Sequence, residues 1–194
     1  MWYSMSTKVT IAIPVYNGEL CLRETLDSAL AQSLPAHEIV VVDDGSTDGS
    51  EEIVRSYGER LRYIKQQNQG IAGARNTAIQ HATGDWIAFL DHDDVMLPTK
   101  IEKQCAVIES NPEIVVVYSG FSYLHSDGST TNVPAFPAKD LWPAIRYRTP
   151  ILPSTAIVRR SALLEIGGFR RFYGTDDWDL WFRQIGRASC RERV

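Results

Sequence analysis

The sequence predicts an α/β fold, a doubly wound, mostly parallel sheet with helices on both faces. Two observations carry that prediction. Short apolar runs alternate with stretches of helical periodicity from Val9 to Leu90, the order expected of parallel strands joined by helical crossovers. The strand-like runs also finish on polar or acidic residues: Tyr16 and Asn17, Asp43 and Asp44, and Asp91 to Asp94. Open α/β sheets place their ligands at such strand ends.

Val9–Ile13 is the first expected strand, with Pro14 as its stop and Pro14–Gly18 as a loop. Glu19–Gln32 follows as a helix, with Leu22, Leu26, Ala29 and Leu30 on one face. Glu38–Val42 is continuously apolar after its first residue, typical of a parallel strand covered on both sides. It gives way to Asp43–Asp48, in which Gly45 permits a tight turn. Ser46, Thr47 or Asp48 can cap the helix that runs towards Tyr57. Leu61–Lys65 is a third strand, and Gln67–Asn76 leads into a helix ending near Ala82. After Gly84, the bulky run Trp86–Leu90 reads as a buried strand.

Leu97-Pro98 is expected to open a helix to about Ser110, with Pro98 in its first turn and Ile101, Cys105 and Ile108 facing inwards. Ile114–Tyr118 is a further strand. Phe121–Tyr147 is less regular, rich in Pro, Ser and Thr, with aromatics at Tyr123, Phe136, Trp142 and Tyr147. Such a stretch covers a pocket or packs on a sheet edge. Thr155–Arg159 is a strand, and Ser161–Ile166 a short helix closed by Gly167-Gly168. The last helix starts at Thr175 or Asp176. Asp177 and Asp179 fall in its first turn, where the helix dipole favours ionised acids.

At 194 residues the chain is long enough for one domain with a sizeable core. An apolar content of 44% and a charged content of 23% are ordinary for a globular protein. The net charge of −4 argues against a nucleic-acid partner. No apolar run reaches the length of a membrane span. Met1–Met5 lacks the basic region and apolar core of a signal peptide, so a cytoplasmic location is expected, with Met5 as an alternative start. Cys21, Cys105 and Cys190 are far apart, which disfavours a zinc site or disulfide framework. Cys21 and Cys105 are expected as small core residues on apolar helix faces.

The densest chemistry lies at Asp91-His-Asp-Asp94, directly after the Trp86–Leu90 strand. Three carboxylates within four positions repel one another unless a positive charge sits among them. A hard divalent cation, Mg²⁺ or Mn²⁺, meets that need and can hold a ligand's phosphates as well. A solvated acidic turn is the other reading of the D-x-D run. No G-x-G-x-x-G follows the first strand, and no G-x-x-x-x-G-K-[ST] loop occurs, which disfavours a dinucleotide site and a P-loop.

Taken together, the motifs resemble those of the family 2 glycosyltransferases, a large bacterial group of inverting sugar transferases with the GT-A fold, many of them in polysaccharide biosynthesis. Four matches carry the resemblance: Pro14–Gly18, Val42–Asp48, Asn68–Asn76 and Phe89–Asp94. A fifth, Gly167–Phe169 followed by Asp176–Trp181, looks like the family's acceptor-side element. The resemblance implies that Pro14, Tyr16 and Asp44, with Asn17 beside them, hold the base and ribose of a nucleotide diphosphate sugar, most often a uridine one. Arg75 would approach the diphosphate, Asp91 would contact the ribose or metal, and Asp93 would be the principal ligand of Mn²⁺ or Mg²⁺. Asp177 would deprotonate the acceptor hydroxyl, with Asp176 and Trp178 on the acceptor side. The family usually has Glu then Asp where this chain has Asp176-Asp177, which leaves the choice between these two carboxylates open.

The implied layout is one GT-A domain over 1–184, with a donor half at about 9–94 and an acceptor half at about 95–184. The acceptor would be a carbohydrate, a lipid-linked molecule or another hydroxyl compound, and the enzyme could sit at the inner membrane face. Members usually continue beyond the Asp177 helix, so a C-terminal truncation is expected. Residues 185–194 lose all apolar patterning after Gly186 and are expected to be a non-native tail. Two other classes compete with a transferase. A nucleotidyltransferase would place a Gly-rich basic segment after the first strand, and Pro14–Gly18 contains none. A nucleotide-sugar-binding domain without turnover is disfavoured by the intact Asp91, Asp93 and Asp177, although truncation could still produce one.

Overall fold

Four strands, β1 (Val9–Val15), β2 (Glu38–Asp43), β3 (Arg62–Lys65) and β4 (Trp86–Phe89), run parallel in a computed structural model that describes residues 7–171 and 174–185. The expectations placed on Met1–Met5 and on 186–194, Cys190 included, lie outside the described residues. The strands alternate with α1 (Leu22–Leu30), α2 (Ser50–Arg55) and α3 (Gly70–His81). Beyond β4 come α4 (Lys100–Ser110), β5 (Val116–Tyr118), the hairpin of β6 (Phe121–Leu124) and β7 (Thr130–Val133), and α5 (Ala138–Ile145). The chain then returns to the sheet as β8 (Ala156–Arg159) and continues into α6 (Arg160–Glu165) and α7 (Asp176–Ile185). The sheet order is β3-β2-β1-β4-β8-β5, with β8 antiparallel to both its neighbours. The doubly wound α/β class expected from the sequence is therefore the observed one, with the antiparallel pairings confined to one side. No helix among the described residues is long and apolar enough to cross a membrane.

Successive strand side chains point to opposite faces, and this splits the core into two layers. Val9, Ile11, Ile13, Ile39, Val41 and Ala88 pack with α1, α2 and α4 through Leu22, Leu26, Ile53, Ile101 and Cys105. Ala12, Val40, Val42, Ile87 and Phe89 pack on the other side with α3 and α7, through Ala74, Ala78, Leu180 and Trp181. Covering both faces explains why β2 is apolar at every position from Ile39 to Val42.

Several local expectations are corrected. Pro14 does not stop β1, which runs on to Val15 with Pro14 opposite Val42. In a parallel ladder alternate residues address alternate neighbours. The Ala12 carbonyl accepts from Leu90 N on the β4 side, and the Val15 carbonyl accepts from Asp44 N on the β2 side. Pro14 therefore turns its nitrogen towards the β4 side just beyond the last rung, Leu90 N to the Ala12 carbonyl, so the β1–β4 ladder ends there while the pairing to β2 continues. Pro98 lies before α4 rather than in its first turn, since the helix begins at Lys100 with Thr99 before it. Cys21 is exposed, because it precedes α1 and stands off the stripe of Leu22, Thr25, Leu26 and Ala29. The stretch Phe121–Tyr147 is more ordered than expected: Asp127-Gly128, with Gly128 at φ 81°, turns the β6–β7 hairpin, and α5 accommodates Pro143.

The last helix is fastened by Trp181, which is fully buried and donates from Nε1 to the Ile151 carbonyl at 2.9 Å. Trp181→Ala would leave a large cavity and an unpaired carbonyl. It is expected to lower unfolding stability by about 3–5 kcal/mol, read as a reduced urea midpoint. An unchanged midpoint would contradict this account of how α7 is held.

Candidate active site

The loops after β1 and β2 are stitched together by their own polar side chains. Asn17 takes the left-handed conformation at φ 52°, a region that Asn tolerates better than most residues. Its N–H donates to Ser46 Oγ at 3.0 Å, and its Oδ1 accepts from Thr47 N at 2.9 Å. Gly18 N donates to Ser50 Oγ at 2.9 Å, Glu19 N to Asp48 Oδ2 at 3.0 Å, and Gly49 N to Glu19 Oε2 at 3.1 Å. Asn17 thus sets the loop, while Tyr16 beside it presents a ring that is 49% exposed. Pro14 is buried within β1.

The paired acids after β2 divide their work. Asp43 accepts Ser46 N on Oδ1 at 2.8 Å and the Tyr63 hydroxyl on Oδ2 at 2.6 Å, which closes the turn. Burial and this carboxylate together raise the Tyr63 hydroxyl far above its ordinary value. Asp44 is buried, and its Oδ1 accepts Gln66 Nε2 at 2.7 Å and Gln69 N at 2.8 Å. Its Oδ2 accepts no hydrogen bond among the described residues.

At the end of β4, the charge beside Asp91 is supplied by the protein itself. Arg75 of α3 is 4% exposed, and its Nη2 donates to both carboxylate oxygens of Asp91, at 2.6 and 2.8 Å. The guanidinium lies 5.1 Å above the Phe169 ring, which meets Phe89 edge-on. Phe169 is held in turn by Asn76, which donates to its carbonyl and accepts from its N–H. Arg75 Nε is buried without a hydrogen-bond partner. Ser154 Oγ accepts Asp91 N at 3.0 Å. Asp93 is exposed, and its carboxylate accepts no hydrogen bond among the described residues. No three metal-ligating side chains converge among the described residues.

Asp177 lies in the first turn of α7, with Oδ1 accepting the Trp178 N–H at 2.8 Å. Burial raises its carboxyl above the ordinary carboxylate range. The Trp178 hydrogen bond and the Arg75 charge oppose that rise, and the Asp91 charge adds to it. Asp177 therefore shares a field with the Arg75–Asp91 pair, across the carboxyl end of the sheet. Asp176 is half-buried in the same turn. Trp178 donates from its indole to the Ile145 carbonyl. With Thr175, Asp179, Phe182 and Arg146 it lines a cleft of about 280 Å³ between α5 and α7.

Sequence reasoning located these acids but not the groups that orient them. Gln66, Thr77, Asn76, Phe169 and Ser154 were missed as orienting groups, because each acts on a residue far away in the chain. The one local hint was Gly167-Gly168, whose positive φ values of 77° and 67° turn the chain to bring Phe169 under Arg75.

A buried carboxylate, an arginine–aspartate pair and a helix-borne acid are gathered around the carboxyl end of the parallel strands, where α/β folds place their ligands. The chain matches the model of glycosyl transferase family 2 over residues 10–167 and belongs to that family. It is 35% identical over 187 residues to an uncharacterized glycosyltransferase of Rickettsia felis, covering 90% of this chain and 31% of that protein. Among solved structures it resembles Staphylococcus aureus TarS 1–349 in complex with UDP, with a TM-score of 0.73 and 24% identity, over 91% of this chain and 54% of that one. It also resembles the mannosyltransferase PcManGT of Pyrobaculum calidifontis in complex with GDP-Man and Mn²⁺, with a TM-score of 0.68 and 24% identity, over 91% and 51%. These structural likenesses establish the GT-A fold. The chain spans about a third of the Rickettsia relative and about half of the two solved chains.

The raised Asp177 carboxyl has a consequence for stability. The folded state holds this proton more tightly than the unfolded chain does. Stability therefore falls as pH rises from the ordinary aspartate value through the raised folded value, and stays lower above it. Asp177→Asn removes that penalty. Its melting temperature is expected to exceed that of the parent at pH 7, with the gain vanishing as pH drops below the ordinary aspartate range. A variant less stable than the parent at neutral pH would show that the charge is net stabilising.

Proposed function

We propose that this chain forms the donor site and the proton-accepting edge of an inverting, metal-dependent transferase that moves a sugar from a nucleotide diphosphate sugar to an acceptor hydroxyl. The observation that carries the reading is the half-buried Asp177 carboxylate in the first turn of α7, near enough to Arg75 and Asp91 for their charges to act on it. A positioned carboxylate there can accept the acceptor's hydroxyl proton while that oxygen attacks the anomeric carbon in line. Its raised pKa makes it a better base than an ordinary surface aspartate.

On the donor side, Asp44 offers an unpaired oxygen to a nucleobase N–H, and the half-exposed Tyr16 ring can cover the base. The similar TarS 1–349 structure is a complex with UDP, which fits a uridine donor. Arg75, with its spare Nε donor, supplies positive charge for the diphosphate.

The residues fit a divalent cation of the Mg²⁺ or Mn²⁺ kind. Such ions are held by one or two carboxylates together with substrate phosphates, not by an all-protein cage. Asp93 has its carboxylate free for this, while Asp91 is shared with Arg75. When bound, the cation offsets the charge that develops on the departing diphosphate.

Two variants test the reading. Asp93→Ala is expected to abolish the metal-dependent increment in melting temperature with UDP, leaving the metal-independent part. Unchanged metal dependence would remove Asp93 from the ligand set. Asp177→Asn is expected to keep donor binding and to lower transfer by about 10²–10⁴-fold, measured as acceptor-dependent release of the nucleotide. An equal loss in Asp176→Asn, with little in Asp177→Asn, would move the base by one residue.

A further inference from the structure

The Asp44 carboxylate is the end of a directed hydrogen-bond relay that starts on α3. The Thr77 hydroxyl lies 2.6 Å from Gln66 Oε1, and Gln66 Nε2 lies 2.7 Å from Asp44 Oδ1. The direction of this relay follows from chemistry. Asp44 Oδ1 already accepts the Gln69 N–H at 2.8 Å, a donor that cannot turn round. A carboxylate oxygen accepts only, so Gln66 must face it with its NH₂. Gln66 Oε1 then faces Thr77, whose hydroxyl is left to donate. The rotatable amide is locked from both ends.

We propose that Thr77 and Gln66 are positioning residues that make Asp44 a reader of nucleobase N–H groups, and so select a donor whose base carries a ring N–H. The inference rests on the reading of Asp44 as the nucleobase contact. Uracil and guanine present a ring N–H, which the free Oδ2 can accept. Cytosine presents a ring-nitrogen lone pair at the matching position, and two acceptors repel. The discrimination depends on how the carboxylate is turned. Without the relay, Oδ1 would lose one of its two donors, the carboxylate could rotate, and the lone pair that meets the base would no longer be fixed, so the preference for a ring N–H would weaken.

A purely structural role for Thr77 would weaken all nucleotides alike, so the decisive quantity is a ratio. The dissociation constants of UDP and CDP would be measured on the whole chain and on Thr77→Val, Thr77→Ser, Gln66→Met and Asp44→Ala. The parent is expected to prefer UDP. Thr77→Val keeps the side-chain shape but removes the donor, and Gln66→Met removes the amide. Each is expected to lower the UDP-over-CDP ratio by about five- to tenfold, the scale of one ordinary hydrogen bond. Thr77→Ser restores the hydroxyl and should restore the ratio. If Asp44→Ala lowers the ratio but Thr77→Val and Gln66→Met do not, the relay is overturned while Asp44 keeps its place at the base. A ratio unaffected by Asp44→Ala, or a parent without preference for UDP, overturns the nucleobase reading and the relay with it.

Discussion

The pair of buried Arg75 and half-buried Asp91 is the interaction on which the rest of the site depends. Removing one partner of such a pair leaves an unpaired charge in a poorly solvated place, which typically costs about 3–5 kcal/mol. The fold is arranged so that neither partner stands alone. Arg75 comes from α3, Asp91 from the end of β4, the aromatic floor from Phe169, and the brace on that floor from Asn76. Three segments far apart in the chain are thus tied to a single guanidinium. Asp177 lies within the field of the same pair, which links α7 to the strand ends without a direct bond.

The same pair changes the meaning of the acidic run after β4. In the sequence, three closely spaced carboxylates demand a counter-charge, and a metal ion is the simplest candidate. In the structure Asp91 is already balanced by Arg75, and Ser154 holds its backbone N–H. Asp94 is hydrogen-bonded to Ser154, and Asp93 keeps its carboxylate exposed and without a hydrogen bond among the described residues. A cation at this edge would therefore share its coordination with a phosphate-bearing ligand, and metal and nucleotide would favour each other's binding.

The order of strands and helices was legible because it is written in local periodicity: Ile39–Val42 must be covered on both sides, and Leu22, Leu26 and Ala29 fall on one stripe. The acids at the strand ends were legible for the same reason, since polarity breaks sharply after an apolar run. What the sequence hid was every relation between distant residues. Nothing near Gln66 shows that its amide is clamped between Thr77 and Asp44. Nothing near Phe169 shows that its ring underlies a guanidinium. Pro14 was misread because its missing N–H ends the ladder on the β4 side alone, and the pairing to β2 that keeps the strand going depends on a neighbour distant in the chain. The hairpin of β6 and β7 was overlooked although Asp127-Gly128 is a recognised turn pair, because the flanking strands are too exposed to show an alternating pattern.

Pro14 also bears on how the sheet opens at its carboxyl end. The sheet order reverses about β1, with β2 on one side and β4 on the other. The last rung to the β4 side is Leu90 N to the Ala12 carbonyl, while on the β2 side the pairing runs on to Val15 and Asp43. Proline ends the ladder on one side of β1 and leaves it whole on the other, so the chain after β4 can part from β1 while the loops after β1 and β2 stay together.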